Sequence, residues 1–273
     1  MEFGTKESLI LLIRKSIILN ELTTNLKVDE YDDFSHVFFS KNLLTSISIW
    51  NIINPAQMTL PEISEAPIKF YDSSSAFTLT RNLFESYANM YYLLVDNKSQ
   101  EEKEFKFLLW KRHWRDERRK ISDSRGIYHA KLVEEEQQIL EIEKKLSTNR
   151  FYIALSDKQK EYFKKRKNWA TLNLIERAKR TVINENKVFY MYKFLSNYAH
   201  SESFAIMQYN SINNALDDQN LLKGVPIIYT ESLLALTIDI FKSHFNKVKE
   251  FIEKDDFLKQ NIIWSLNYMS KKK

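Results

Sequence analysis

The chain has 273 residues and no cysteine, with 41 Lys and Arg against 36 Asp and Glu, a formal net charge of +5. Disulfides, thiolate nucleophiles and cysteine-ligated metals are therefore excluded. The mild basic excess is compatible with a nucleic-acid partner without requiring one. Three glycines and four prolines are too few for the turns of a sheet-rich fold, so helices joined by short polar loops are expected. Eighteen Phe, fourteen Tyr and five Trp supply an aromatic core. A chain of this length typically buries ~75% of its unfolded surface, so no covalent staple is needed.

The first apolar run, Leu9 to Leu19, is broken by Arg14 and Lys15 and is shorter than the ~20 residues of a membrane span. No small-residue cleavage site follows it, so neither a signal peptide nor a membrane segment is expected, and a cytoplasmic location is the default. Glu2-Phe3-Gly4-Thr5 is also what two adjacent restriction sites encode, so residues 1–5 carry no weight in this reading.

Apolar spacing predicts helices at about 7–25 (Leu9, Ile10, Ile13, Ile17, Leu22 inward) and 32–53 (Phe34, Val37, Phe38, Leu43, Ile47, Trp50 inward). Pro55 and Pro61 mark a loop from Asn54 to about Asp72. Asp72 or Ser73 then caps a helix that runs to about Val95. From Ser99 to Lys167 charge dominates. Ser99-Gln100-Glu101-Glu102 reads as a capping box. Two long helices, about 99–122 and 128–146, form an antiparallel hairpin broken at Gly126, and a third follows at about 156–166. Glu134, Glu135 and Glu136 face Lys144 and Lys145 as exposed ion-pair support. Core spacing returns at about 168–183, 186–200, 202–209, 211–222, 227–252 and 255–270, with Gly224-Val225-Pro226 separating the fourth and fifth of these. The expected fold is all-α. It is one composite helical domain, with core segments 6–97 and 168–270 and an inserted charged hairpin or arm at 98–167.

Two segments break the apolar pattern, and such violations concentrate at functional sites. Arg81 and Glu85 stand four apart on one face of a helix that is otherwise apolar almost all round. Buried charges require partners, so the pair either joins helices, orients a catalytic group or binds an anion. The second segment is Tyr192-Lys193-Phe194-Leu195-Ser196-Asn197-Tyr198-Ala199-His200-Ser201. Tyr192, Ser196 and His200 share one stripe of its helix, and Lys193, Asn197 and Ser201 the next. A helix C-terminus favours a cationic imidazole, and histidine is the side chain most ready to move protons near neutral pH. The bland alternative is a hydrogen-bonded histidine that locks a helix corner. Ser196 and His200 lack the strand-to-helix elbow of a serine hydrolase. No His-Glu-x-x-His, Glu-x-x-His pair or phosphate-binding glycine loop exists, and Asp33-Phe34-Ser35-His36 stands alone. No metal and no cofactor is expected.

Together the segments Arg81-Asn82-Leu83-Phe84-Glu85 and Leu195-Ser196-Asn197-Tyr198-Ala199-His200-Ser201 resemble an uncharacterised bacterial family of helical proteins, a DUF5677-like domain of unknown function. Its members carry an Arg-x-x-x-Glu helix and a later Ser-x-Tyr-x-His segment. The likeness covers roughly residues 70–205. A looser resemblance is to the HEPN superfamily of helical RNA-cleaving domains, in which an arginine holds phosphate and a histidine moves the proton. That resemblance implies His200 as acid/base, Arg81 or Lys193 as the cation at phosphate, and Glu85 and Ser196 as orienting groups. The chain departs from the superfamily pattern at Lys193, which stands where an arginine is usual, and lysine lacks the guanidinium fork.

In the arm, Lys111, Arg112, Arg115, Arg118 and Arg119 recur at helical spacing beside Trp110 and Trp114. Arg112, Arg115, Arg119 and Trp114 are the candidates for contact with single-stranded RNA, the alternative being a solvated amphipathic helix. Two functions follow. One is a metal-independent endoribonuclease, as in a toxin or antiphage effector. The other is a non-catalytic scaffold with a buried Arg–Glu–His network. The partners implied are RNA and a second copy or another protein.

Overall fold

A computed structural model describes residues 2–54, 56–62, 64–70, 72–120, 129–165, 169–200, 202–203, 206–207 and 216–271. Twelve helices and one hairpin occur among them. They are α1 (Lys6–Thr23), α2 (Glu30–Ile53), β1 (Ala56–Leu60), β2 (Ser64–Phe70), α3 (Ser73–Leu94), α4 (Gln100–Lys120), α5 (His129–Thr148), α6 (Arg150–Ile153), α7 (Asp157–Lys164), α8 (Leu174–Lys179), α9 (Glu185–Ala199), α10 (Leu216–Phe241), α11 (Asn246–Lys254) and α12 (Asp256–Ser270). The fold is all-α. The chain divides into two compact units: residues 1–91 with 174–273, and residues 92–173.

The larger unit is organised by α10, which packs against α12, α2 and α1. Leu233, Leu234, Ala235 and Ile238 are fully buried, as are the polar Thr230, Glu231, Ser232 and Thr237. By length and apolar content, Gly224–Phe241 would pass for a membrane span, but 78% of it is buried within the fold. Phe39 of α2 stacks on Phe241 with centroids 4.1 Å apart and rings within 3° of parallel. Asn42 donates from Nδ2 to Thr237 Oγ1 at 3.1 Å. Several buried hydroxyls satisfy themselves locally, while those of Ser35, Thr230 and Ser232 find no partner among the described residues. Ser16, Ser46, Thr80 and Thr237 each donate to the carbonyl four residues back.

Glu231 is the polar centre of this core. Its Oε2 accepts from Ser8 Oγ at 2.7 Å and from the Gly4 amide at 2.8 Å, and its Oε1 accepts from Asn261 Nδ2 at 2.5 Å. One carboxyl thus ties the N-terminal segment, α1, α10 and α12 together. Gly4 has φ +79°, and a side chain there would also meet Ile228 and Trp264, so both backbone and space demand glycine. Thr5 caps α1, exchanging hydrogen bonds with Ser8.

The smaller unit has its own core. Phe105, Leu108 and Leu109 of α4 meet Ile142 and Leu146 of α5 and Phe163 of α7, with Phe151, Tyr152 and Leu155 packed against them. At the start of α4, Ser99 Oγ accepts from the Glu102 amide at 3.2 Å, and Glu102 reaches back to the Lys98 amide at 2.9 Å. The carboxylate returns one residue earlier than in a standard capping box.

Several expectations need correction. The segment from Asn54 to Asp72 is not a loop but holds an antiparallel hairpin, in which Ala56 pairs with Phe70 and Leu60 with Ser64. A two-stranded hairpin needs one turn, here at Pro61-Glu62, and low glycine and proline counts do not forbid it. Gly224 and Pro226 do not divide two helices. α10 runs through both and stops before Lys242, because burial over Gly224–Phe241 outweighs the hydrogen bond that proline omits. The predicted helix at 168–183 is only the six residues of α8, and α6 was not foreseen. Val37 is 51% exposed and Ile17 42% exposed, whereas Phe39, Ile49, Leu12 and Leu19 are buried. Glu135 is buried and bonds Arg118 of α4 at 2.5 Å instead of supporting an exposed face with lysines. Gly126, half of the expected helix at 202–209 and the start of that at 211–222 lie outside the described residues.

Two stability predictions follow. Burial raises the Glu231 pKa above the usual 4.5, and the hydrogen bonds from Ser8, Gly4 and Asn261 oppose that rise only in part. A raised folded-state pKa stabilises fully below the unfolded value and is lost as pH rises through the folded one. Urea unfolding should therefore show wild type losing stability relative to Glu231→Gln as pH rises above the ordinary carboxyl value of 4.5 and through the raised folded-state value. A difference independent of pH would contradict the assignment. Phe39→Ala should cost ~3–5 kcal/mol by the same measurement, since it opens a cavity beneath Phe241.

Candidate functional site

The site lies within the larger unit, where α3 and α9 meet. α9 starts at Asn184, whose side chain caps the Asn186 amide. Val188, Met191, Leu195 and Tyr198 form its buried face at spacings of three and four. α3 buries Phe77, Leu83, Phe84, Tyr87 and Ala88. Aromatic packing joins the two helices. Phe77 stacks on Tyr198 at 4.2 Å and stands edge-on to Phe194 at 5.3 Å. Burial, with Tyr190 nearby, pushes the Tyr198 hydroxyl up to about 12, so it stays protonated at neutral pH.

Arg81 lies one turn beyond Phe77, and the α3–α9 packing carries it to the end of α9. Its Nη2 bonds Glu85 Oε1 at 3.0 Å, its Nη1 lies 3.1 Å from His200 Nε2, and its guanidinium sits over the Tyr192 ring at 5.5 Å. The Nε of Arg81 is buried and finds no acceptor among the described residues. Guanidinium only donates, so His200 accepts at Nε2 and its ring proton is on Nδ1. A doubly protonated imidazole has no lone pair for this bond, so charging His200 would break it.

His200 caps α9 with φ −107° and ψ 8°, and its amide donates to the Ser196 carbonyl at 3.1 Å. The residue is exposed, while the Arg81 and Glu85 side chains are 17% and 33% exposed. The Arg–Glu–His cluster therefore faces solvent and is not a fully buried network. Burial lowers the Lys41 ammonium of α2, and the carboxylate of Glu85 opposes this. Lys41, an exposed residue, is thus within electrostatic range of Glu85. It went unnoticed in the sequence because it is one lysine on an amphipathic helix.

The remaining predicted residues are placed as follows. Ser196 Oγ donates to the Tyr192 carbonyl at 2.5 Å within its own helix, so it turns away from orienting His200. Lys193 is exposed with its ammonium 5.9 Å from the Phe189 ring centroid, one turn back. In the smaller unit, Arg112 is buried and bonds Glu143 at 3.0 Å. Arg115 donates to Gln138 Oε1 at 2.8 Å and to the Lys111 carbonyl at 3.2 Å. Trp114 is 41% exposed and lies under the guanidinium groups of Arg115 and Arg118, at 4.9 and 4.5 Å. The Arg119 side chain and Ser201 are outside the described residues. Among the described residues no three His, Asp or Glu side chains converge as a metal ion would require.

No curated protein and no solved structure matches the chain. Residues 67–220, more than half of it, match a family described as being of unknown function (DUF5677), and that stretch contains Arg81, Glu85 and His200. The chain therefore belongs to the family of unknown function DUF5677.

Proposed function

We propose that the cluster at the end of α9 cleaves RNA without a metal ion, in the manner of a HEPN-type nuclease. The observation that carries this reading is the 3.1 Å contact between Arg81 Nη1 and His200 Nε2 at a solvent-exposed helix end. It joins a guanidinium, the best side chain for phosphate, to a neutral imidazole whose reactive lone pair faces it. The RNA itself supplies the nucleophile, its ribose 2′-hydroxyl, so no metal-activated water is needed.

The chemistry runs through an exchange of partners. A scissile phosphate approaching Arg81 offers a charged acceptor that competes with the His200 lone pair. When Arg81 turns to the phosphate, His200 Nε2 is free to take the 2′-hydroxyl proton. The 2′ oxygen attacks phosphorus, Arg81 stabilises the charge on the equatorial oxygens, and the bond to the 5′ oxygen breaks. The proton passes to that leaving oxygen, which gives a 2′,3′-cyclic phosphate and a 5′-hydroxyl. Glu85 holds Arg81 from the far side at 3.0 Å and fixes its orientation. A toxin or antiphage role would suit this activity, and a cytoplasmic location would suit such a role.

The second reading is a non-catalytic scaffold in which the same contacts fasten the α3–α9 corner. Ser196 bonding its own helix favours it, since that hydroxyl does not reach toward His200.

The two readings differ in measurable ways. His200→Ala should lower RNA cleavage by ~10²–10⁴, the range of a lost general acid–base group, with the fold retained by circular dichroism. Arg81→Lys keeps the charge but loses the fork, so it cannot hold phosphate and Glu85 together; a fall of ~10² or more in kcat/KM is expected. Equal cleavage, or equal growth arrest, by wild type and His200→Ala would establish the scaffold instead.

A further inference from the structure

We infer that the outward face of α9 is a stacking platform for unpaired RNA bases that leads to His200. This rests on the nuclease reading for its ligand and on separate residues for its geometry. Phe189 and Tyr190 are adjacent on α9 and 56% and 54% exposed, a large aromatic area to leave in water. Neither ring takes part in the Arg81–His200 cluster, and neither belongs to the buried face of the helix.

Tyr190 is held as a platform. Its ring stacks on Phe194 at 5.5 Å and within 9° of parallel, while 54% of the residue stays exposed. Phe194 is braced in turn, edge-on to Phe77 at 5.3 Å and to Tyr198 at 5.4 Å, and so the support reaches into the core. A ring fixed in this way loses little freedom when a base stacks on it. Phe189 carries the Lys193 ammonium at its ring edge or face, 5.9 Å from the centroid. The acid at the start of the helix, Glu185, is already bonded to Lys179 at 3.3 Å. Lys193 and then His200 with Arg81 follow along the helix, and Phe189 precedes His200 by about 16 Å at ~1.5 Å per residue.

Alternation of exposed rings and a cation selects single-stranded RNA over a second copy of the chain. Bases stack on aromatic faces regardless of sequence, and the intervening phosphates meet the cation. A twofold self-contact centred on the rings would instead bring two Lys193 ammonium groups together. Lys193 thus holds the strand, where the resemblance to RNA-cleaving helices would have it stabilise the transition state. A duplex, whose bases are stacked inside, offers the rings nothing.

The test measures fluorescence anisotropy of the full-length protein with a short fluorescein-labelled 2′-O-methyl oligouridylate, which cannot be cleaved by 2′-hydroxyl attack. Phe189→Ala and Tyr190→Ala should each weaken binding by roughly fivefold or more, the lower end of base–aromatic stacking. Tyr190→Phe should bind as wild type, since stacking needs the ring and not the hydroxyl. A duplex of the same length should bind more weakly than the single strand. Unchanged affinity in both alanine variants, absence of binding by wild type, or a dimer that the variants dissociate without affecting RNA would overturn the platform. If wild type binds with ring-dependent affinity yet cleaves no RNA, the nuclease reading fails and the platform stands. If cleavage depends on His200 but neither ring affects binding, the platform alone fails.

Discussion

The N-terminal segment, α1, α10 and α12 meet on a carboxyl group that has no exposed surface. Glu231 sits in α10, within a stretch from Gly224 to Phe241 that is 78% buried, and could not remain there without donors. Ser8 and the Gly4 amide provide them from the N-terminal end of the chain, and Asn261 provides the third from α12. The same contacts fix the rotation of α1 and α12 about α10, because a turn of either helix would leave the acid unpaired. An apolar residue in its place would tolerate several rotations, whereas a hydrogen-bonded acid tolerates one.

From that centre the placement of the site is a matter of packing. α2 is set by the Phe39–Phe241 stack and the Asn42–Thr237 bond. α3 and α9 meet through Phe77, Phe194 and Tyr198, whose contacts leave little freedom in the angle between the helices. Arg81 and His200 then face one another because each is a short, defined distance along its helix from that aromatic brace. The charged cluster is not what joins α3 to α9. Its members are partly exposed, and exposed ion pairs contribute little to stability. A group that adds little to the fold is free to serve another purpose, and this is why the cluster is a better candidate for chemistry than the fully buried Glu231.

The basic helix α4 gives the opposite lesson. Its arginines looked available for nucleic acid, but Arg112, Arg115 and Arg118 are bonded to Glu143, Gln138 and Glu135 of α5. In a unit of only 82 residues the apolar core is small, and charged side chains supply much of the pairing between α4 and α5. What a charged helix does depends on whether its charges meet a neighbouring helix, and spacing within one helix carries no such information.

The sequence by itself determined the all-α class, most of the long helices and their caps, because apolar period and capping residues are local properties. It also marked Arg81, Glu85 and His200, since charge in an apolar helix stands out in any context. It did not reveal the hairpin at Ala56–Phe70, the continuity of α10 through Pro226, or the burial of Phe39 in place of Val37. Each of these depends on a partner distant in sequence: a strand to pair with, a core deep enough to offset a missing hydrogen bond, a ring to stack on. The adjacency of Arg81 and His200, 119 positions apart, is of the same kind. Local sequence chose the side chains, and only the packing of α3 on α9 decided that the guanidinium would lie on the imidazole.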